Sequence, residues 1–153
     1  MVSMVGGGQL ARMTHQAAIA LGMSLRVLAV GPEDPAAQVA PDVVLGSHTD
    51  LDALRTAAVG AAAMTFDHEH VPTELLHALV ADGVPVLPGP GALVYAQDKL
   101  AMRRRLADLG VPVPRFTAVE SVADVDAFAA SVGGAMVVKT VRGGYDGRGV
   151  VLA

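Results

Sequence analysis

Short β-branched runs alternate with helical apolar spacing along the first half of the chain. That alternation predicts βαβ units and a parallel sheet. Strands are expected at Val2–Val5, Ser24–Val30, Val43–Leu45, Ala63–Phe66 and Val84–Leu87. Between them, Leu10, Met13, Ala17, Ala20 and Leu21 recur at helical spacing, so they are the expected inward face of a helix ended by Gly22. A brief helical turn is expected around Pro35–Val39. Asp50 is placed to cap a helix carrying Leu51, Leu54 and Ala58. Pro72 suits the first turn of another, carrying Leu75, Leu76, Leu79 and Val80 and closed by Gly83.

The stretch Pro88-Gly89-Pro90-Gly91 is strong punctuation and divides the chain into 1–91 and 92–153. Past it the pattern changes. Asp98 caps an expected helix through Leu109, with Met102, Leu106 and Leu109 inward. Val111-Pro112-Val113-Pro114 is extended, because a residue before proline avoids the helical region. Ser121 and Asp124 form a capping box that opens a helix with Val122, Val125, Phe128 and Val132 inward. Met136–Lys139, a glycine-rich loop and Val150–Leu152 then read as a strand–loop–strand hairpin. A lone hairpin is marginal in water, so this second part is expected to be incomplete without a further sheet.

Composition narrows the function classes. At 52% apolar residues the chain has ample core material. A net charge of −4 and five aromatic residues (three Phe, two Tyr) leave no basic, ring-bearing surface for nucleic acid. The one basic cluster, Arg103-Arg104-Arg105, reads as a helix face, with Arg104 and Arg105 solvated. Without cysteine there is no disulfide, thiol nucleophile or Cys-ligated zinc, which suits a reducing cytoplasm. No signal peptide is visible, and no apolar run approaches the roughly 20 residues that span a bilayer.

Three segments carry candidate chemistry. Gly6-Gly7-Gly8-Gln9-Leu10-Ala11 fits G-x-G-x-x-A between strand and helix, where free helix amides can take an anion. A dinucleotide site also wants an acid ending the next strand, but that strand ends in Val30-Gly31-Pro32 with Glu33 beyond the turn. Another ligand's phosphate, or a tight turn without ligand, are the other readings. Thr65-Phe66-Asp67-His68-Glu69-His70 follows a strand, at the end where open α/β sheets bind ligands. Two histidines at alternate positions suggest a metal pair, yet they lack a third protein ligand, and a polar loop is the plainer reading. The third segment, Lys139 to Val150, is the strongest. A lysine closes an apolar strand, where its ammonium is expected to be held in place. Four glycines, at 143, 144, 147 and 149, then let backbone N–H groups approach polyphosphate. Arg148 brings a planar charged fork and Asp146 an acceptor. It is not a Walker A loop, which needs Gly-Lys-Ser/Thr before a helix. Lys99, a cation in a helix's first turn, fits an anionic ligand there.

These segments, with Gln97-Asp98-Lys99 and Gly143-Gly144-Tyr145-Asp146-Gly147-Arg148-Gly149, resemble the 5-(carboxyamino)imidazole ribonucleotide synthase family of the ATP-grasp superfamily over essentially the whole chain. The resemblance implies an α/β fold: a Rossmann-like pre-ATP-grasp domain over 1–91, then the first, incomplete part of an ATP-grasp α+β domain over 92–153. It implies carboxylation of the exocyclic amine of 5-aminoimidazole ribonucleotide with ATP and bicarbonate, through carboxyphosphate, in purine biosynthesis. By the same resemblance, Lys99, Lys139 and Gly144, Tyr145, Asp146, Gly147, Arg148, Gly149 and Val150 contact ATP. Asp146 and Arg148 face carboxyphosphate and amine, and Gly8, Gln9, Leu10 and Glu69 belong to the ribonucleotide pocket. Magnesium ligands are expected beyond Ala153 and none within the chain, so the stretch alone is expected to be inactive. A cytoplasmic homodimer without nucleic-acid or membrane partners is implied. A nucleotide-cofactor oxidoreductase and a non-catalytic fragment are the rival readings.

Overall fold

The computed structural model describes residues 1–144 and 147–153; Tyr145 and Asp146 lie outside the described residues. The chain forms two compact units, Met1–Leu93 and Val94–Ala153.

In the first unit β1 (Val2–Val5), α1 (Gln9–Ala20), β2 (Leu25–Ala29), β3 (Asp42–Leu45), α2 (Leu51–Ala58), β4 (Ala63–Phe66) and α3 (Thr73–Ala81) follow in order. The strands form one parallel sheet in the order β3-β2-β1-β4. Val2 pairs with Leu25 on one side and with Ala63 on the other, so β1 is central. Because side chains alternate along a strand, each face of the sheet buries its own set. Met4, Leu25, Val27 and Ala29 pack with Ala11 and Ala18 of α1. Val5, Leu28 and Met64 pack with Leu54 and Ala57 of α2 and Leu76 and Leu79 of α3.

Two expectations in this unit are corrected. The side of α1 that turns inward is Ala11, His15 and Ala18, while Leu10 and Met13 are 57% and 54% exposed. Ala17, Ala20 and Leu21 are exposed as well. A helix leaving a glycine turn approaches the sheet closely, which favours the small Ala11 and Ala18 against the strands. The expected strand at Val84–Leu87 is reduced to a single parallel bridge between Val86 and Met64. Pro85 still accepts from Met64 N–H and Leu87 N–H donates to Met64, but proline offers no donor of its own to extend a ladder. Pro35–Val39 forms turns, as expected.

The punctuated stretch after it contains a helix that the sequence pattern did not predict, α4 (Pro90–Gln97), with Leu93 buried. Proline at a first helical position costs little, since the N–H it lacks would have had no partner.

The second unit holds α5 (Lys99–Asp108), α6 (Val122–Val132) and the antiparallel pair β5 (Val137–Lys139) and β6 (Val150–Leu152). The caps expected of it are present: Asp98 accepts from Ala101 N–H, and Ser121 with Asp124 completes a capping box. The expected inward faces are not closed over. No residue of α5 or α6 is fully buried, and Leu109 and Val122 are 59% and 77% exposed. Two short strands alone cover neither face.

Leu54 is fully buried where α2 meets the sheet. Leu54→Ala should cost about 2–5 kcal/mol of unfolding free energy, read from the midpoint and slope of a urea transition.

Candidate functional site

The C-terminal ends of β1 and β4 bring the first two motifs together, because these strands are adjacent and parallel. Asp67, just past β4, leans over the glycine turn that follows β1. Its Oδ2 accepts the Ala11 N–H at 3.2 Å, in the first turn of α1. Its side chain is 8% exposed, and Oδ1 is buried without a hydrogen-bond partner. Gly6 sits at φ +130, and a Cβ there would lie 1.7 Å from Asp67 Oδ1. Glycine is therefore demanded at this position both by backbone conformation and by the carboxylate. On the other side of the turn, a Cβ on Gly7 would meet Asp34 Oδ2 at 2.5 Å.

These two carboxylates change the reading of the G-x-G-x-x-A motif. The anion at the start of α1 is the protein's own, and it takes the amide that a phosphate would seek. Asp34, in the turn after β2, accepts Val30 N–H at 2.9 Å and Gly31 N–H at 3.3 Å. It is committed to the backbone of its own turn, which weakens the dinucleotide reading. Neither role was assigned from sequence. For Asp34 a signal existed, an aspartate three residues after Gly31 in a Gly-Pro turn.

Gly8, Gln9 and Leu10 are exposed at the N-terminal end of α1, and Gly8 makes no side-chain cap. Glu69 is half-buried in the loop after β4, so it and Gly8–Leu10 occupy the same end of the sheet.

The histidines of that loop are joined by one the sequence pattern did not single out. His48, after β3, lies edge-on to His68 with ring centroids 4.8 Å apart. His68 stacks on His70 at 5.3 Å. His68 Nδ1 accepts the His70 N–H at 3.2 Å, and its Nε2 lies 3.9 Å from Asp67 Oδ1. With both ring nitrogens of His68 turned to protein groups, it is poorly disposed as a ligand. Among the described residues no group of three or more His, Asp or Glu side chains is arranged to hold a metal ion. Burial, the largest effect, lowers the affinity of His68 for a proton; Asp67 opposes it, and His48 and His70 reinforce it. His48 is lowered by burial and then by His70.

In the second unit, Lys139 ends β5 opposite Val150 of β6. Its side chain is exposed, against the expectation that the strand would hold it, because the two-stranded ladder offers no cover. Thr140 forms the neck of the glycine loop: its N–H donates to the Gly149 carbonyl at 2.9 Å. A Cβ on either Gly144 (φ +72) or Gly149 (φ +67) would meet Thr140 Oγ1 at 2.7 Å. Two of the four glycines are thus required by the fold of the loop itself, and Thr140 is a residue that sequence reasoning missed. Lys99 donates its ammonium to the Gly143 carbonyl, so the structure brings it to the loop. Gly147 and Arg148 are exposed, as are Arg104 and Arg105 on α5. The expected contacts of Tyr145 and Asp146 fall outside the described residues. Among the described residues no helix is long and apolar enough to cross a membrane.

The ribonucleotide synthetase preATP-grasp domain model matches residues 1–97, and the ATP-grasp domain model matches 104–153. The chain is 68% identical to the N5-carboxyaminoimidazole ribonucleotide synthase of Mycobacterium leprae over 98% of its own length and 36% of that relative. It thus spans about 36% of the length of this relative and of its Mycobacterium bovis counterpart. Among solved structures, N5-carboxyaminoimidazole synthetase from Staphylococcus aureus complexed with ADP superposes with a TM-score of 0.89 at 30% identity, over 99% of this chain and 40% of that one. The Aspergillus clavatus synthase in complex with ADP and 5-aminoimidazole ribonucleotide superposes at 0.83 and 28% identity, over 98% and 39%.

The histidine cluster makes stability pH-dependent. His48 and His68 titrate below their ordinary value of 6.5 in the folded chain, so the unfolded chain protonates first as pH falls. Their contribution is fully present above about pH 6.5 and is lost as pH drops from there through the lower folded values. Thermal melts between pH 7.5 and 5 should show this loss. His68→Asn should flatten the profile.

Proposed function

Since the chain belongs to the ribonucleotide synthetase preATP-grasp family, we propose that it contributes part of an ATP-grasp ligase acting on 5-aminoimidazole ribonucleotide. The reaction is ATP- and bicarbonate-dependent carboxylation of the substrate's exocyclic amine. The observation that carries this reading is the β5–β6 hairpin: a lysine at its strand end, an arginine in its loop, and a neck held by Thr140 and two glycines.

The division of labour follows from placement. In this reading residues 1–91 are the pre-ATP-grasp domain, whose sheet end carries Gly8, Gln9, Leu10 and Glu69 toward the ribonucleotide. Residues 92–153 belong to the ATP-grasp domain. There Lys99, Lys139 and the loop from Gly144 to Val150 take the nucleotide phosphates through cations and backbone N–H groups. Asp146 and Arg148 act on carboxyphosphate and on the attacking amine. Phosphoryl transfer leaves little covalent work to the protein, so positioned charge is the main contribution. The residues present fit polyphosphate: Lys99, Lys139 and Arg148 supply three cations near donors of a tight loop. Magnesium would neutralise the phosphates when bound, but no carboxylate cluster suited to it is found among the described residues. In the family reading its ligands belong to the length the relatives have beyond this stretch. The same reading makes the protein a cytoplasmic homodimer.

Lys139 serves ground-state binding as a point charge, whereas Arg148 and Asp146 serve the transition state. In a protein of the relatives' full length, Lys139→Ala should mainly raise KM for ATP. Arg148→Ala and Asp146→Ala should mainly lower kcat, by about 10²–10³. Steady-state kinetics with saturating bicarbonate separate the two. Normal kcat in both loop variants would reduce the loop to a phosphate cover.

A further inference from the structure

One joint of the second unit has no part in the roles above. Asp98 uses its two carboxylate oxygens differently. Oδ1 accepts the Ala101 N–H at 2.8 Å and caps α5, while Oδ2 faces Arg142 Nε at 3.2 Å. The aspartate side chain is 18% exposed and the arginine 59%, so the pair is rooted on the helix side. Backbone reinforces it. Asp98 and Arg142 form an antiparallel bridge, and Lys99 N–H donates to the Val141 carbonyl at 2.9 Å. Thus the first foot of the glycine loop is tied to the N-terminus of α5, and the second foot is tied to Thr140 through Gly149.

Among the cations near this loop, Arg142 differs from Lys99. The Lys99 ammonium donates to a neutral carbonyl, that of Gly143, which a phosphate oxygen can replace. Arg142 is already matched to a carboxylate, and an anion approaching it meets Asp98 as well. A loop that binds polyphosphate with backbone N–H groups also gains affinity when its feet are fixed beforehand, because ordering it on binding would subtract from the interaction.

We propose that Asp98 is a positioning residue for the nucleotide-binding loop and that Arg142 is its anchor rather than a phosphate ligand. The inference rests on the nucleotide reading given under Proposed function. The joint sets where the loop begins, and so acts on ATP affinity through Arg142 and Gly143 without touching the reacting atoms.

The test separates capping from anchoring. Asp98→Asn keeps the helix cap, since asparagine caps as well as aspartate, and removes the charge that holds Arg142. Arg142→Gln removes the other half at an exposed site. In a protein of the relatives' full length, each should raise KM for ATP about 3–30-fold with kcat within about twofold. The double variant should be no worse than either single one, and Arg142→Lys should recover much of the loss. Unchanged KM in Asp98→Asn would overturn the proposal. So would additive losses, or a larger effect at Arg142 than at Asp98, because either makes Arg142 a ligand in its own right. Amide exchange in the 153-residue chain, without nucleotide, tests the joint independently. Asp98→Asn should speed exchange at Lys99 while Thr140 stays protected. Faster exchange at Lys99 in a protein indifferent to ATP would uphold the joint and overturn the nucleotide reading. Unchanged exchange would overturn the joint.

Discussion

Much of the first unit depends on one carboxylate meeting one helix. Asp67 reaches from the end of β4 across to the turn after β1 and accepts the Ala11 N–H. A negative group at a helix N-terminus is favourable, by about 0.3–1 kcal/mol when exposed and up to about 2 when partly buried. The geometric consequence is larger than the energy. Gly6 has no room for a Cβ, α1 leaves the sheet at a fixed height, and alanines rather than leucines come to face the strands. The exposed Leu10 and Met13 are the counterpart of that rotation.

The same contact relocates the chemistry. With the Ala11 amide engaged by Asp67, the glycine turn presents Gly8–Leu10 at the same end of the sheet as the β4 loop. Two loops from adjacent strands are thereby held in register, one bearing Gln9 and the other Glu69. The imidazoles of His48, His68 and His70 pack against one another beside them. His68 commits Nδ1 to the His70 N–H, while its Nε2 lies 3.9 Å from Asp67 Oδ1.

The second unit solves a different problem with similar means. Here the loop itself must be shaped, and Thr140 does this by filling the space that side chains on Gly144 and Gly149 would need. The glycines that look like a ligand-binding signature are, in part, a packing requirement. Function and fold make the same demand at these positions, which is why glycine content alone separates them poorly.

Local chemistry was legible wherever it was decided within a few residues. The strands at Val2–Val5 and Ala63–Phe66, the Asp50 and Asp98 caps and the Ser121–Asp124 box all depend on neighbours in the chain. So did the motif spacing that pointed to the family. Tertiary structure decided which face of α1 is buried and that Pro90–Gln97 is helical. It also decided the partners of Asp34, Asp67 and Thr140. Periodicity records which residues share a side of a helix, but not which side the sheet meets. That choice depends on contacts between distant parts of the chain, such as the one 56 positions apart between Asp67 and Ala11, and no local pattern encodes them.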